Sequence, residues 1–262
     1  MSDSLGLSSN PMHQGIIIGI PACGRPVTLE WALAMTTVRM PTGTVVQYAT
    51  TRGIEVGQAR NQIVDQALKV GAKYIWFVDD DTAPPPYALM QLMYALDQNK
   101  EAMVCAGIYC AKCEPTMPIV YHDRGSGPYW DWKFGDVFEC SSIGTGCMLV
   151  KTEIFKKIEK PWFKTMHEAT DAPVSVLEFG KEKTYEQADI LLTDDIYFCY
   201  KVQEAGYKIL AHGGVLCTHW DVASQTPFTL AADSYPMIPR KEEPKPQKSW
   251  DAFQVCEPSQ EL

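Results

Sequence analysis

The sequence predicts an α/β domain built on an open, mostly parallel, Rossmann-like sheet with helices on both faces. Three observations lead there. Short, β-branched apolar runs alternate with longer segments whose apolar residues recur at helical spacing. Most of the early runs stop abruptly at proline, glycine or aspartate, as buried strands do when they pass into loops. Three consecutive aspartates, Asp79-Asp80-Asp81, follow the third run, at the sheet edge where such folds bind ligands.

Taken in order, residues 15–20 form a first strand closed by Pro21, and residues 25–38 suit a helix. A second strand over 44–49 leads into a helix over 58–70, where Ile63, Val64, Ala67 and Leu68 fall on one face. Residues 73–78 give a third strand. Pro84-Pro85-Pro86 then starts a helix over about 87–96, since proline is tolerated only in a first turn. A fourth strand spans 102–106. The second half is less regular, with short strands over 118–121, 137–141 and 147–150 and a helix over 152–158. Residues 163–187 read as a long functional loop. Thr193-Asp194-Asp195 opens a further helix, because acidic groups complement the exposed amides of a first turn. Strands over 208–211 and 215–218 close the domain. The expected organisation is a flexible segment over 1–14, one domain over 15–220 and a proline-rich tail or arm over 221–262.

The chain has 262 residues, 46% of them hydrophobic and 21% charged, enough apolar surface for a sizeable core. A formal net charge of -9 argues against a broad electrostatic grip on nucleic acid or anionic lipid. The apolar run at 15–20 is too short for a membrane span or a signal peptide core, so the expectation is a cytoplasmic protein without integral membrane association. Nine cysteines, scattered and odd in number, read as reduced core thiols. The pair Cys110 and Cys113 lacks the second pair that a structural zinc site needs.

Three adjacent carboxylates raise one another's pKa unless a cation offsets them. In extended geometry Asp79 and Asp81 would project to one side and Asp80 to the other, so the outer two can address one divalent ion. Hard oxygen ligands suit Mg2+ or Mn2+, shared with water and diphosphate oxygens.

From here the chain resembles the glycosyltransferase-A (GT-A) fold over roughly 15–219, and in particular the inverting family 2 glycosyltransferases. Several motifs carry the resemblance in order. Ile20-Pro21-Ala22 is similar to the loop that receives the nucleoside, Ala59-Arg60-Asn61 to the Ala-Arg-Asn element, and Phe77 to Asp81 to the Asp-x-Asp motif. Gly144-Thr145-Gly146 and the strand after it resemble the turn beneath the sugar. Thr193-Asp194-Asp195 resembles the Glu-Asp helix start, with Asp194 in place of the usual glutamate. The long apolar spans and Gln-x-x-Arg-Trp motif of the processive membrane synthases are missing.

The resemblance implies a metal-dependent transferase that moves a hexosyl or pentosyl group, with inversion, from a nucleoside-diphosphate sugar such as a UDP-sugar to an acceptor hydroxyl. It implies Asp195 as general base with Asp194 beside it, and Mn2+ or Mg2+ held by Asp79, Asp81 and His219. The implied donor contacts are Pro21, Ala22, Arg25, Arg60, Asn61, Asp79, Asp80, Gly144, Thr145 and Gly146. The acceptor is left open among a glycan, a lipid-linked sugar and a hydroxylated base in DNA, and so is homo-oligomer formation. Lys151, Lys156, Lys157, Lys160 and Lys164 favour the nucleic acid and the acidic balance opposes it. Tyr129, Trp130, Trp132 and Trp220 supply rings for stacking or for the core.

Two other classes compete. One is a non-catalytic nucleotide-sugar or sugar-binding protein of the same fold. The other is a nucleotidyltransferase, for which the loop Pro21-Ala22-Cys23-Gly24-Arg25 is a poor match.

Overall fold

The computed structural model describes residues 15–123, 126–169, 174–178, 181–185 and 189–230. The elements run β1 (Ile16–Ala22), α1 (Leu29–Thr37), β2 (Val46–Arg52), α2 (Val56–Val70), β3 (Tyr74–Val78), β4 (Thr82–Ala83), α3 (Ala88–Gln98), β5 (Ala102–Ile108), β6 (Val120–Tyr121), β7 (Val137–Glu139), β8 (Ser142–Ile143) and β9 (Cys147–Lys151). A 3-10 turn (Thr152–Lys156) follows, then β10 (Met166–Ala169), β11 (Val174–Glu178), β12 (Lys181–Tyr185), β13 (Asp189–Leu192), α4 (Asp194–Glu204), β14 (Lys208–Leu216), β15 (Thr218–Asp221) and β16 (Thr226–Phe228).

The central sheet has the order β2-β1-β3-β9-β5-β14-β7. Its strands β1, β2 and β3 pair in parallel, as do β5 and β14, while β9 and β7 run antiparallel to their neighbours. The carboxyl ends of β1, β2, β3, β5 and β14 therefore lie along one edge. The strand β9 lies between β3 and β5, antiparallel to both, within a sheet that is otherwise mostly parallel. A run of apolar residues marks a strand, but its neighbours are set by tertiary pairing, here Val150 opposite both Ile75 and Val104.

Strand alternation divides the core in two. Ile17, Ile75 and Phe77 face the layer of α2 and α4, with Ile63, Val64 and Phe198. Ile16, Ile18, Trp76 and Val78 face α1 and α3, with Met35, Leu89 and Leu92. Each such side chain contributes about 1.5–3 kcal/mol by leaving water. Six cysteines, Cys105, Cys110, Cys140, Cys147, Cys199 and Cys217, are buried.

Local chemistry sets the helix ends. The helix α1 starts at Leu29 rather than at residue 25, because the Thr28 hydroxyl accepts the Trp31 amide at 3.1 Å while Gly24 turns the chain at φ +87. Glu55 caps α2 by accepting the Gln58 amide at 2.8 Å, and Gly71, left-handed at φ +70, ends it.

The second half differs further from the sequence reading. Within and beside the stretch 163–187 read as a long functional loop, the described residues form paired strands: β10 pairs with β13 and β11 with β12, both antiparallel. The helix expected at 152–158 is a 3-10 turn, its start tied down by the Thr152 hydroxyl on the Lys73 carbonyl at 3.1 Å. The strands expected at 208–211 and 215–218 are one strand with register shifts, followed by β15. A tail beginning at 221 would cut β15, which pairs through His219, Trp220 and Asp221 with β16. The segments 1–14 and 231–262 lie outside the described residues. Among the described residues no helix is long and apolar enough to cross a membrane.

Candidate active site

The strand β3 stops at Val78, and Asp79 to Thr82 fold into a turn closed by the Thr82 amide on the Asp79 carbonyl at 3.1 Å. The turn removes the alternation expected of an extended triplet. The three carboxylates part company, and each meets its own cations.

Asp79 turns to α2. Arg60 donates from Nη2 to both of its oxygens, at 2.7 and 2.9 Å, and from Nη1 to Asp194 at the start of α4. Arg60 and Asp194 are only 3% and 4% exposed. One guanidinium between two carboxylates leaves a net negative charge, and burial holds both Asp79 and Asp194 above the usual carboxylate range. Burial opposes the charge on Arg60, but Asp79, Asp194 and Asp195 outweigh it and raise its pKa.

Asp80 is buried under the loop after β1. It accepts the Cys23 amide at 3.0 Å and Arg25 Nη2 at 3.2 Å. Pro21, which is buried, and Ala22, which is half-buried, are the last residues of β1 before that loop rather than part of it. From above, the Trp31 indole donates to the Asp79 carbonyl at 2.8 Å, so α1 pins the turn.

Asp81 meets residues from three distant segments. Its Oδ2 accepts Arg25 Nη2 and Lys112 Nζ, both at 2.6 Å, and its Oδ1 lies 3.5 Å from His219 Nε2. Burial works against its charge, but a protonated His219 ring and the Lys112 ammonium hold it below the usual carboxylate range. The approach of His219 is built by backbone: β4 pairs with β15, setting His219 opposite Thr82, and the Trp220 amide donates to the Asp81 carbonyl at 2.8 Å. The His219 ring lies edge-on to Tyr109, centroids 5.1 Å apart.

The tautomer of His219 follows from its second contact. Nδ1 lies 2.7 Å from the Cys110 carbonyl, which only accepts, so Nδ1 carries the hydrogen and Nε2 of the neutral ring presents a lone pair. With the ring neutral, a lone pair faces the carboxylate oxygen Asp81 Oδ1. Two acceptors held together in this way make a gap that a cation fills, and a nitrogen–carboxylate pair completed by water and diphosphate oxygens fits Mn2+ or Mg2+. Asp79, with both oxygens on Arg60, stands apart from that pair. No cluster of three or more histidine, cysteine, aspartate or glutamate side chains is arranged for a metal among the described residues.

Gly144, Thr145 and Gly146 pass close over Tyr109. A Cβ on Gly144 would lie 2.1 Å from the Tyr109 hydroxyl, and one on Gly146 would lie 2.7 Å from the Thr82 hydroxyl. The Gly146 amide donates to the Tyr109 hydroxyl at 3.2 Å and its carbonyl accepts the Asp79 amide at 3.1 Å, so this turn and the aspartate turn brace each other. The Thr145 hydroxyl is buried without a partner among the described residues.

Asp195 lies in the first turn of α4, half-buried. Its Oδ1 accepts the Ile196 amide at 2.9 Å and the Thr193 hydroxyl. Among the described residues no cation is paired with it. Asn61, in contrast, is occupied elsewhere: its amide donates to the Phe163 carbonyl at 2.8 Å and accepts the amides of Trp162 and Phe163 at 3.0 and 3.2 Å. Trp132, 4% exposed, stacks on Phe138 in the core. A separate cavity of about 570 Å3, lined by His122, Glu139, Tyr200 and Glu204 among others, takes in none of these site residues.

Sequence reasoning missed Lys112, Trp31 and Tyr109's support of the glycine turn. Lys112 carried one usable signal, its place a few residues beyond the carboxyl end of β5.

Residues 45–158 match the family model described as Glycosyl transferase family 2. The matched stretch includes Arg60, Asp79 to Asp81, Lys112 and the Gly144 to Gly146 turn. The crystal structure of A197 from STIV is similar, with a TM-score of 0.54 and 16% identity over 83% of this chain and 95% of that one. That of GalNAc-T7 with UDP, GalNAc and Mn2+ gives a TM-score of 0.51 and 10% identity, over 79% of this chain and 44% of that one. No curated protein matches the sequence. The fold is the GT-A fold. Within that fold, residues 45–158 are similar to family 2 glycosyltransferases.

Proposed function

We propose that this protein is a metal-dependent glycosyltransferase that transfers a sugar, with inversion, from a nucleoside-diphosphate donor, a UDP-sugar first among them, to an acceptor hydroxyl. The observation that carries the reading is the pair Asp81 and His219, an oxygen and a nitrogen lone pair 3.5 Å apart at the carboxyl edge of the sheet. Asp81 and His219 would hold Mn2+ or Mg2+. When bound, the ion supplies charge stabilisation to the diphosphate as the bond to the sugar breaks. The UDP and Mn2+ in the GalNAc-T7 structure support this choice of donor and metal.

The remaining roles fall to side chains. The segment from Pro21 to Arg25 borders the nucleotide, and Arg25 balances its phosphates. The Gly144 to Gly146 turn lets the sugar approach the backbone. Asp195 takes the proton from the acceptor hydroxyl as its oxygen attacks the anomeric carbon from the face opposite the leaving diphosphate. Asp194 is bound to Arg60 and positions the helix that carries Asp195. Glycans, lipid-linked sugars and hydroxylated bases in DNA all present the required hydroxyl.

Titration calorimetry with UDP, GDP, ADP, CDP and dTDP, each with and without Mn2+, tests the reading. Binding of one nucleotide that needs both Mn2+ and the Asp81 carboxylate, and so is lost in Asp81→Ala, is expected. Absence of binding for all five under every metal condition overturns it.

A further inference from the structure

Lys112 reaches the site from a closed turn beyond β5. The two sides of that turn are joined by a bridge between Cys110 and Pro118 and by the Ala111 amide on the Met117 carbonyl at 2.8 Å. The same turn supplies the Cys110 carbonyl that orients His219. One short segment thus sets the imidazole and delivers an ammonium group to the carboxylate facing it.

The site cations are not equivalent. Arg60 is sealed between two carboxylates, its side chain 4% exposed. Arg25 is anchored twice, on Asp80 and on Asp81. Lys112 has three N–H donors, is 27% exposed and is hydrogen-bonded to one carboxylate among the described residues, Asp81 Oδ2. It shares that oxygen with Arg25. A cation in the gap between Asp81 and His219 would neutralise Asp81 and weaken its hold on the ammonium, just where an anion bound to that cation would lie.

Resting on the glycosyltransferase reading above, we infer that Lys112 is a diphosphate-binding residue: paired with Asp81 in the free protein, its ammonium turns to the terminal phosphate of the nucleoside diphosphate when donor binds. Lysine suits the task as a compact point charge on a flexible stem. It grips the phosphate from the β5 side, while Arg25 faces it from the β1 side.

The test is calorimetry in Mn2+ on the full chain, comparing Lys112→Met and Lys112→Arg with the wild type, with UDP and UMP as probes and the other four diphosphates if UDP is not the one bound. Loss of one charge-assisted contact is expected to weaken UDP binding by about ten- to a hundredfold in Lys112→Met. UMP, which lacks the terminal phosphate, should change less than threefold, and Lys112→Arg should recover most of the loss. Equal UDP affinity in Lys112→Met and the wild type overturns the inference and leaves the transferase reading intact. An equal loss for UDP and UMP overturns it too, because Lys112 would then be supporting the loop. If the wild type binds no nucleoside diphosphate, the transferase reading itself fails and the inference goes with it.

Discussion

Arg60 holds Asp79 with two hydrogen bonds, 2.7 and 2.9 Å long, and so ties the end of the third strand to the helix that begins the second strand's crossover. Its other nitrogen holds Asp194, so the aspartate turn and the start of α4 share one buried cation. Arg60→Met leaves the buried Asp194 and the half-buried Asp79 without their shared counterion. Breaking such a pair costs about 3–5 kcal/mol, and urea unfolding followed by circular dichroism at pH 7.5 should show a loss of that size. Arg60→Lys keeps the charge but loses the fork, and should lie between the two. A loss below about 1 kcal/mol in Arg60→Met would show that the cluster is not what joins these elements.

His219 is placed by backbone pairing of β4 with β15, so the strand should survive removal of the ring. The expected outcome for His219→Ala is stability within about 1 kcal/mol of wild type, since the lost contacts lie at a partly exposed edge, together with loss of Mn2+-dependent nucleotide binding. Imidazole nitrogen also favours Mn2+ over the strictly oxygen-seeking Mg2+. Calorimetry with the two ions in turn should therefore give tighter nucleotide binding with Mn2+, and equal binding in both would argue against His219 as a ligand.

Asp194 and Asp195 are neighbours with separate expected behaviour. Asp195→Asn should retain nucleotide binding and lower kcat by about a hundred- to ten-thousandfold, the usual range for losing a general base. Asp194→Asn should act on stability first, because it removes one of the two anions gripped by Arg60. Kinetics with an accepted sugar donor, beside a thermal melt of each variant, separates the two. A full-rate Asp195→Asn would return the role of base to another group.

Much of this was legible because strand ends are written in composition. The apolar run of aromatic and β-branched residues before Asp79 marked β3, and the aspartates fall at its carboxyl end. Helical spacing gave α2, and Pro84 to Pro86 gave the start of α3. Contacts between segments far apart in sequence were not legible. Extended alternation assigned Asp79 and Asp81 to one ion, whereas the turn at Asp79 to Thr82 sends Asp79 to Arg60 and Asp81 to His219. Lys112 looked like any surface lysine, because its partner is Asp81 across the sheet edge. Asn61 resembled a donor contact, yet the 161–163 segment claims its amide. In each case tertiary pairing decided the partner, and local pattern holds no record of it.

The glycine turn yields a prediction that contacts alone can test. A Cβ on Gly144 would sit 2.1 Å from the Tyr109 hydroxyl, so Gly144→Ala must displace a buried ring. Overpacking of this kind costs about 1–3 kcal/mol. Tyr109→Ala removes the obstacle, and the double variant should be more stable than the sum of the single losses implies. A double-mutant cycle by urea denaturation should give a coupling above about 1 kcal/mol, and strict additivity would mean that the turn moves aside without touching Tyr109.

Stability should also depend on pH through His212 in β14. Its Nδ1 accepts the Gly214 amide at 3.1 Å, which fixes the neutral ring, and burial lowers its pKa below the ordinary 6.5. The unfolded chain therefore binds the proton more readily than the folded one. The stabilising contribution is complete above about pH 6.5 and is lost as pH falls through the depressed folded value. Other carboxylates and histidines titrate over the same range, so the comparison is with His212→Asn, whose side-chain oxygen can accept the same amide but does not titrate. Between pH 8 and pH 5.5 the wild type should lose more of its urea midpoint than the variant does. If the two midpoints fall in parallel, His212 is not the group responsible for the acid sensitivity.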